Sequence, residues 1–165
     1  MFNKPTMIML IGVPGSGKST WRNEFINHFG LDHFTVISTD DYIDYAAKQQ
    51  SKTYSEVFED TIKSAENSMN ITLKFNLSLS RSIIIDRTNT SVKSRKRLLD
   101  QIPPVYYKMA LFFDTPEDLD YRLKRRLGKH IPESVMDSMI KNLVPPSYDE
   151  GFDMISVYKQ KQKDG

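Results

Sequence analysis

Gly12-Val13-Pro14-Gly15-Ser16-Gly17-Lys18-Ser19 is the stretch of this 165-residue chain whose residue types and spacing specify a chemistry most directly. It fits G-x-x-x-x-G-K-[ST]. Glycines let a backbone curl until its N–H groups face a common point, and phosphate oxygens are the acceptors that suit such a nest. A helix beginning at Lys18 adds the positive end of its dipole. The pattern assigns the Lys18 ammonium to the β- and γ-phosphates of a nucleoside triphosphate and the Ser19 hydroxyl to Mg²⁺. Gly12, Pro14, Gly15, Ser16, Gly17 and Thr20 complete the expected donor-nucleotide site. No Asn-Lys-x-Asp guanine motif follows, which argues against a GTPase.

Two acidic segments follow hydrophobic runs. Phe34–Ile37 leads into Ser38-Thr39-Asp40-Asp41-Tyr42, and Ser82–Ile85 leads into Asp86-Arg87-Thr88-Asn89. The carboxyl ends of parallel strands are where α/β sheets bind ligands. A carboxylate there can accept the proton an alcohol loses as it attacks phosphorus; it can equally cap the next helix, and position alone leaves both readings of Asp40 and Asp41 open. Asp86 after Ile83-Ile84-Ile85 has the form of a Walker B acid serving Mg²⁺. Further on, Leu119, Leu123 and Leu127 recur at four, as do Arg122 and Arg126. One helix is therefore expected to pack a leucine stripe inward and present both arginines on a neighbouring face, ready to clamp a triphosphate.

Short aliphatic runs at Met7–Ile11, Phe34–Ile37, Ser82–Ile85, Val105–Phe113 and Phe152–Val157 read as buried strands. Helical spacing occupies Lys18–His28, Tyr54–Leu77 and Ser91–Ile102. Thr115-Pro116-Glu117-Asp118 has the form of a helix start, with the helix ending near Gly128, and Pro132-Glu133 opens another that Pro145-Pro146 closes. Alternation of strands and helices predicts an α/β fold with a mostly parallel five-stranded sheet covered on both faces. A single domain over 1–165 is expected, with a helical lid at about 116–143 and a frayed tail at about 159–165.

The chain has no Cys, which excludes disulfides, thiolate metal sites and a cysteine nucleophile. No apolar run approaches the ~20 residues of a membrane span, and the N-terminus lacks a signal-peptide pattern. The expectation is a cytoplasmic protein (host cytoplasm for a viral one) without a membrane partner. The formal net charge of +2 is uneven. Residues 119–130 hold five Lys/Arg against one Asp, and Lys93–Arg97 holds four Lys/Arg with no acid, so the rest of the chain is net negative. Two basic clusters suit polyanionic substrates.

Taken in order, Gly12–Trp21 with Arg22-Asn23-Glu24-Phe25, Asp40-Asp41-Tyr42, Thr88-Asn89, Phe113-Asp114, the arginine segment, and Ile131-Pro132 with Val135, Ser138 and Met139 resemble the P-loop polynucleotide 5′-hydroxyl kinase family, phage kinase domains among them. The resemblance covers most of residues 5–143. It implies a P-loop kinase topology with the Asp86 strand beside the loop strand, ATP and Mg²⁺ as cofactors, and the 5′-hydroxyl end of DNA or RNA as acceptor, as in nucleic acid repair. It further implies Asp40 as general base, Arg126 on the donor phosphates with Arg122 nearby, and Asp41, Thr88 and Asn89 at the acceptor. Two departures stand out. The family's Arg after Asp-Asp-Tyr is Ile43 here, and its Asp-Thr-Asn is Arg87-Thr88-Asn89, so Arg87 is expected to take over acceptor-phosphate binding. The rival expectations are a kinase for a small alcohol such as a nucleoside, favoured by a closed pocket at Asp40, and a nucleotide-binding module without catalysis.

Overall fold

The computed structural model describes residues 3–159. Five strands, β1 (Thr6–Ile11), β2 (Thr35–Ile37), β3 (Ile83–Asp86), β4 (Tyr107–Phe113) and β5 (Met154–Tyr158), form one sheet in the order β2-β3-β1-β4-β5. Every pairing is parallel, with β1 in the centre flanked by β3 and β4. The strands need no polar alternation because both sheet faces are covered: all six residues of β1 and all four of β3 are buried. Met7, Met9, Ile83 and Ile85 pack toward Met69 and Leu73 on one face, while Ile8, Leu10 and Ile84 pack toward Phe34 and Phe113 on the other.

The helices are α1 (Lys18–Phe29), α2 (Thr39–Gln49), α3 (Tyr54–Ser78), α4 (Val92–Leu99), α5 (Leu119–Lys124) and α6 (Glu133–Lys141). The helix α2 is not among those the sequence pattern predicts. Ser38 caps it, its side chain accepting from the Asp41 N–H at 3.2 Å, so Asp40 and Asp41 occupy the first turn instead of capping it. Thr53 and Glu56 form a capping box at the start of α3. Ile43 is fully buried with Ala47 against Val57 and Ala65 of α3. Position 43 thus belongs to the α2–α3 core, and no cation can serve an acceptor from it.

The arginine segment differs most from expectation. Helix α5 starts at Leu119, with Asp118 and not Thr115 at its N-cap position, and stops at Lys124. Arg126 lies in the following loop, so Arg122 and Arg126 do not share a helical face. Leu119 and Leu123 do pack inward, against Val13 of the phosphate loop and Met136 of α6, but Leu127 is 98% exposed.

The Lys93–Arg97 cluster is also less basic than its sequence. Arg95 is fully buried. Its Nε and Nη2 donate to Glu150 at 2.7 and 2.8 Å, and its Nη1 donates to the carbonyls of Asn89, Thr90 and Val144. Lys96 is paired with Asp100 on the same helix. The expected frayed tail lies outside the described residues except for Lys159.

Candidate active site

The loop Gly12–Gly17 joins the end of β1 to α1 and curls as its glycines permit. Gly15 has φ +83°, and a Cβ there would come within 2.9 Å of Leu119 Cδ1. A Cβ on Gly12 would sit 2.7 Å from Ser16 Oγ. These two glycines therefore let the α5 leucines and the loop's own serine approach the backbone. Ser16 Oγ is buried and, among the described residues, has no hydrogen-bond partner. An unpartnered buried donor inside the loop is costly unless an anion reaches it, which suits a phosphate. Lys18 is buried, and its ammonium donates to the carbonyls of Gly12 and Val13 at 2.8 and 2.9 Å. Burial pushes its pKa down to about 8, against the opposing pull of Asp86 and Asp40. Ser19 and Thr20 are exposed at the start of α1, and Pro14 is half-buried.

The two acids of the first turn of α2 face different partners. Asp40 accepts from the Tyr54 hydroxyl at 2.8 Å and from Lys129 Nζ at 2.6 Å. Lys129 also lies 3.9 Å over the Tyr54 ring. Burial alone would raise the Asp40 pKa; the charge and hydrogen bond of Lys129, joined by Tyr54, outweigh it and hold the carboxyl below its usual range. Tyr54 moves the other way, its phenol pushed far up by burial and by Asp40. Asp41 instead pairs with Arg22 of α1 at 3.0 Å, and the same Nη1 reaches Asp86 at 2.8 Å. Asp86 is buried, which raises its pKa despite Arg22 and Lys18 nearby.

Arg22, Tyr54 and Lys129 are site residues that the sequence reading did not single out. Arg22 had one signal: it follows Lys18 by four on α1 and so shares its face. Nothing in the sequence pairs Lys129 with Asp40, which lie 89 positions apart.

The loop after α5 docks on the start of α3, the Ser55 N–H donating to Gly128 O at 3.1 Å and the His130 N–H to Ser55 Oγ at 2.9 Å. That docking carries Lys129 to Asp40. It also holds Arg126 close enough for its charge to be felt by Lys18, Asp40 and Tyr54. Arg122 is tied to Asp118 at 2.6 Å.

The remaining residues that the sequence pattern assigns to an acceptor are less uniform. Thr88 is half-buried, and its carbonyl accepts from the Gly12 N–H at 2.9 Å. Asn89, at φ +49°, is buried, and its amide donates to Leu10 O at 2.8 Å. Asn89 therefore fixes the β3–α4 loop onto β1. Arg87 is one-third exposed and paired with Glu66 of α3 at 3.5 Å.

Among the described residues no group of three or more His, Cys, Asp or Glu could hold a metal ion. A hard divalent cation here would need phosphate oxygens to complete its coordination. The donors at hand, the exposed Ser19 hydroxyl and the Asp86 carboxylate, are oxygen ligands of the type Mg²⁺ takes.

Comparison with known proteins gives a consistent picture. A family model described as an AAA domain matches residues 7–146. A protein of Acanthamoeba polyphaga mimivirus, named as a candidate bifunctional polynucleotide phosphatase/kinase, is 30% identical over 163 residues, covering 92% of this chain and 32% of that protein. The chain thus spans about a third of the length of this curated relative. Among solved structures, a chain of the Pnkp1/Rnl/Hen1 RNA repair complex is 26% identical with a TM-score of 0.64, covering 87% of this chain and 45% of that one. A fungal RNA kinase shares the fold at 19% identity and a TM-score of 0.61, over 99% of this chain and 40% of that one.

Proposed function

The chain belongs to the AAA domain family, and from that premise we propose that it is an ATP-dependent kinase transferring the γ-phosphoryl group to the 5′-hydroxyl end of DNA or RNA. The observation that carries this reading is the meeting of four groups from distant segments at the carboxyl edge of the sheet: Lys18, Asp40, Arg126 and Lys129. The names of the mimivirus relative and of the RNA repair complex support the acceptor class.

In this mechanism the loop amides, Ser16 and Lys18 hold the β- and γ-phosphates. Thr20 and the loop glycines complete the donor site. Ser19 and Asp86 are the residues that would hold Mg²⁺, which would supply charge neutralisation to the phosphates. The Asp40 carboxylate takes the proton of the acceptor hydroxyl as the hydroxyl oxygen bonds to the γ-phosphorus and the bridging oxygen leaves with ADP. Arg126, free of any ion pair among the described residues, neutralises charge on the transferring group, and Arg122 would join it only by leaving Asp118. Arg87 would reach an acceptor phosphate only by leaving Glu66. Residues 116–143 would serve as the lid over this site. Among the described residues no helix is long and apolar enough to cross a membrane.

A small-alcohol kinase needs an enclosed acceptor pocket. Asp40 is instead half-exposed, and the neighbouring cleft lined by its partners Tyr54 and Lys129 is open to solvent, which favours a polymer end. Incubation with γ-labelled ATP and 5′-hydroxyl DNA, 5′-hydroxyl RNA and a nucleoside panel is expected to label the oligonucleotides. Label on nucleosides alone, or on nothing, would refute the reading.

The Lys129–Asp40 pair makes a pH prediction. A general base works only when ionised, and Lys129 opposes the effect of burial on Asp40. Lys129→Met is expected to move the acidic limb of the kcat/KM profile to higher pH. A limb that stays in place would separate Asp40 from that ionisation.

A further inference from the structure

Beyond Asp40 the same surface continues as a cleft of about 530 Å³ between the second half of α2, the start of α3 and the loop 126–129. Lys48, Lys52, Arg126 and Lys129 line it, with Asp44 as the only carboxylate among its lining residues. Lys129 is committed to Asp40; among the described residues the side chains of Lys48, Lys52 and Arg126 form no ion pair. Three unpaired cations around one cleft favour an anionic occupant.

Their placement has a direction. Asp40, Asp44 and Lys48 follow one another at four on α2 and share a face. Eight residues of helix carry Lys48 about 12 Å from Asp40. Lys52 is brought to the same cleft by a tight turn: the Ser51 N–H donates to Lys48 O at 3.2 Å and the Lys52 N–H to Ala47 O at 3.0 Å, with Ser51 at φ +54°. That helix ending ordinarily takes glycine, and a serine is held there against the left-handed preference. On the opposite lip, the 98% exposed Leu127 offers an apolar contact.

We propose that Lys48 and Lys52 form a subsite for the internucleotide phosphates of a single-stranded acceptor, beyond its first nucleotide, with Leu127 against a base. The proposal rests on the kinase reading for the position of the 5′ end at Asp40. Contacts of this kind touch phosphates and carry no base code, so the subsite reads length and not sequence.

The test compares a nucleoside 3′-monophosphate with a 5′-hydroxyl tetranucleotide, for the parent protein and Lys48→Ala/Lys52→Ala. The parent's kcat/KM is expected to favour the tetranucleotide, and the double variant to reduce that preference about ten-fold. The slope of log(kcat/KM) against log salt should become shallower by about 1.4, the single-strand value for two lost phosphate contacts. A preference and slope equal to the parent's would overturn the subsite while leaving the kinase reading intact. If the parent phosphorylates neither acceptor, the kinase reading fails, and fluorescence anisotropy with a labelled 5′-hydroxyl (dT)₁₀ tests the cleft by itself. Binding that the double variant weakens about ten-fold supports a strand site. No binding, equal binding by the variant, or displacement by poly-glutamate as effective as by unlabelled (dT)₁₀ overturns it.

Discussion

Asp40→Asn is expected to lower kcat by about 10²- to 10⁴-fold, the range general base catalysis supplies. Asn retains the shape of Asp and one oxygen, so it can still accept from Tyr54 or Lys129. What it loses is the ability to take a proton. The same substitution removes the carboxylate that Lys129 neutralises, so the lid loop loses an ion pair between a half-exposed acid and a mostly covered ammonium. Pairs with so exposed a partner contribute little to stability. Thermal unfolding should therefore move little while turnover collapses, and measuring both on the same preparation separates a chemical role from a structural one. A variant that keeps turnover within three-fold of the parent would remove Asp40 from the proton transfer.

The second large effect is expected at Arg126. Arg126→Ala should reduce kcat about 10³-fold, the lower end of what an arginine supplied to a transferring phosphoryl group contributes, and should raise the acceptor KM far less. The reason lies in where the residue sits. A helical Arg126 would share a face with Arg122; in the loop it has no carboxylate partner among the described residues and stands close to Lys18 and Asp40. An arginine already paired must lose that partner to act, as Arg122 must leave Asp118. Arg126→Lys tests geometry, because an ammonium cannot reproduce a planar bidentate fork. Rescue of less than a tenth of kcat by Lys is expected, and an unchanged kcat in the alanine variant would discard the assignment.

The parts readable in sequence were those set by local pattern. Continuous aliphatic runs located all five strands, and the loop motif carries its own geometry. The errors fall where tertiary contacts decide. Asp-Asp-Tyr-Ile-Asp-Tyr-Ala-Ala has an apolar face of only Ile43 and Ala47, too thin to announce a helix, yet α3 covers it completely. Leucines at four extended the lid helix in sequence to Leu127, but only Leu119 and Leu123 find Val13 and Met136 to pack on. Arg95 reads as one more cation in a basic run; nothing nearby in sequence indicates that Glu150 will neutralise it inside the protein. The Asn89 motif likewise gives no sign of the left-handed backbone and the bond to Leu10 that tie it to the frame.

The buried Arg95 also bears on how this chain can be dissected. The family match ends at residue 146, whereas the carboxylate that balances Arg95 is at Glu150. Excising the matched segment alone would strand a guanidinium in the interior, at a cost of about 3–5 kcal/mol. That cost would fall on the carbonyls of Asn89 and Thr90, next to Thr88, whose own carbonyl holds Gly12 at the head of the phosphate loop. The smallest autonomous unit therefore extends past the matched segment, and the ten-odd residues after position 143 act as a keystone for the phosphate loop.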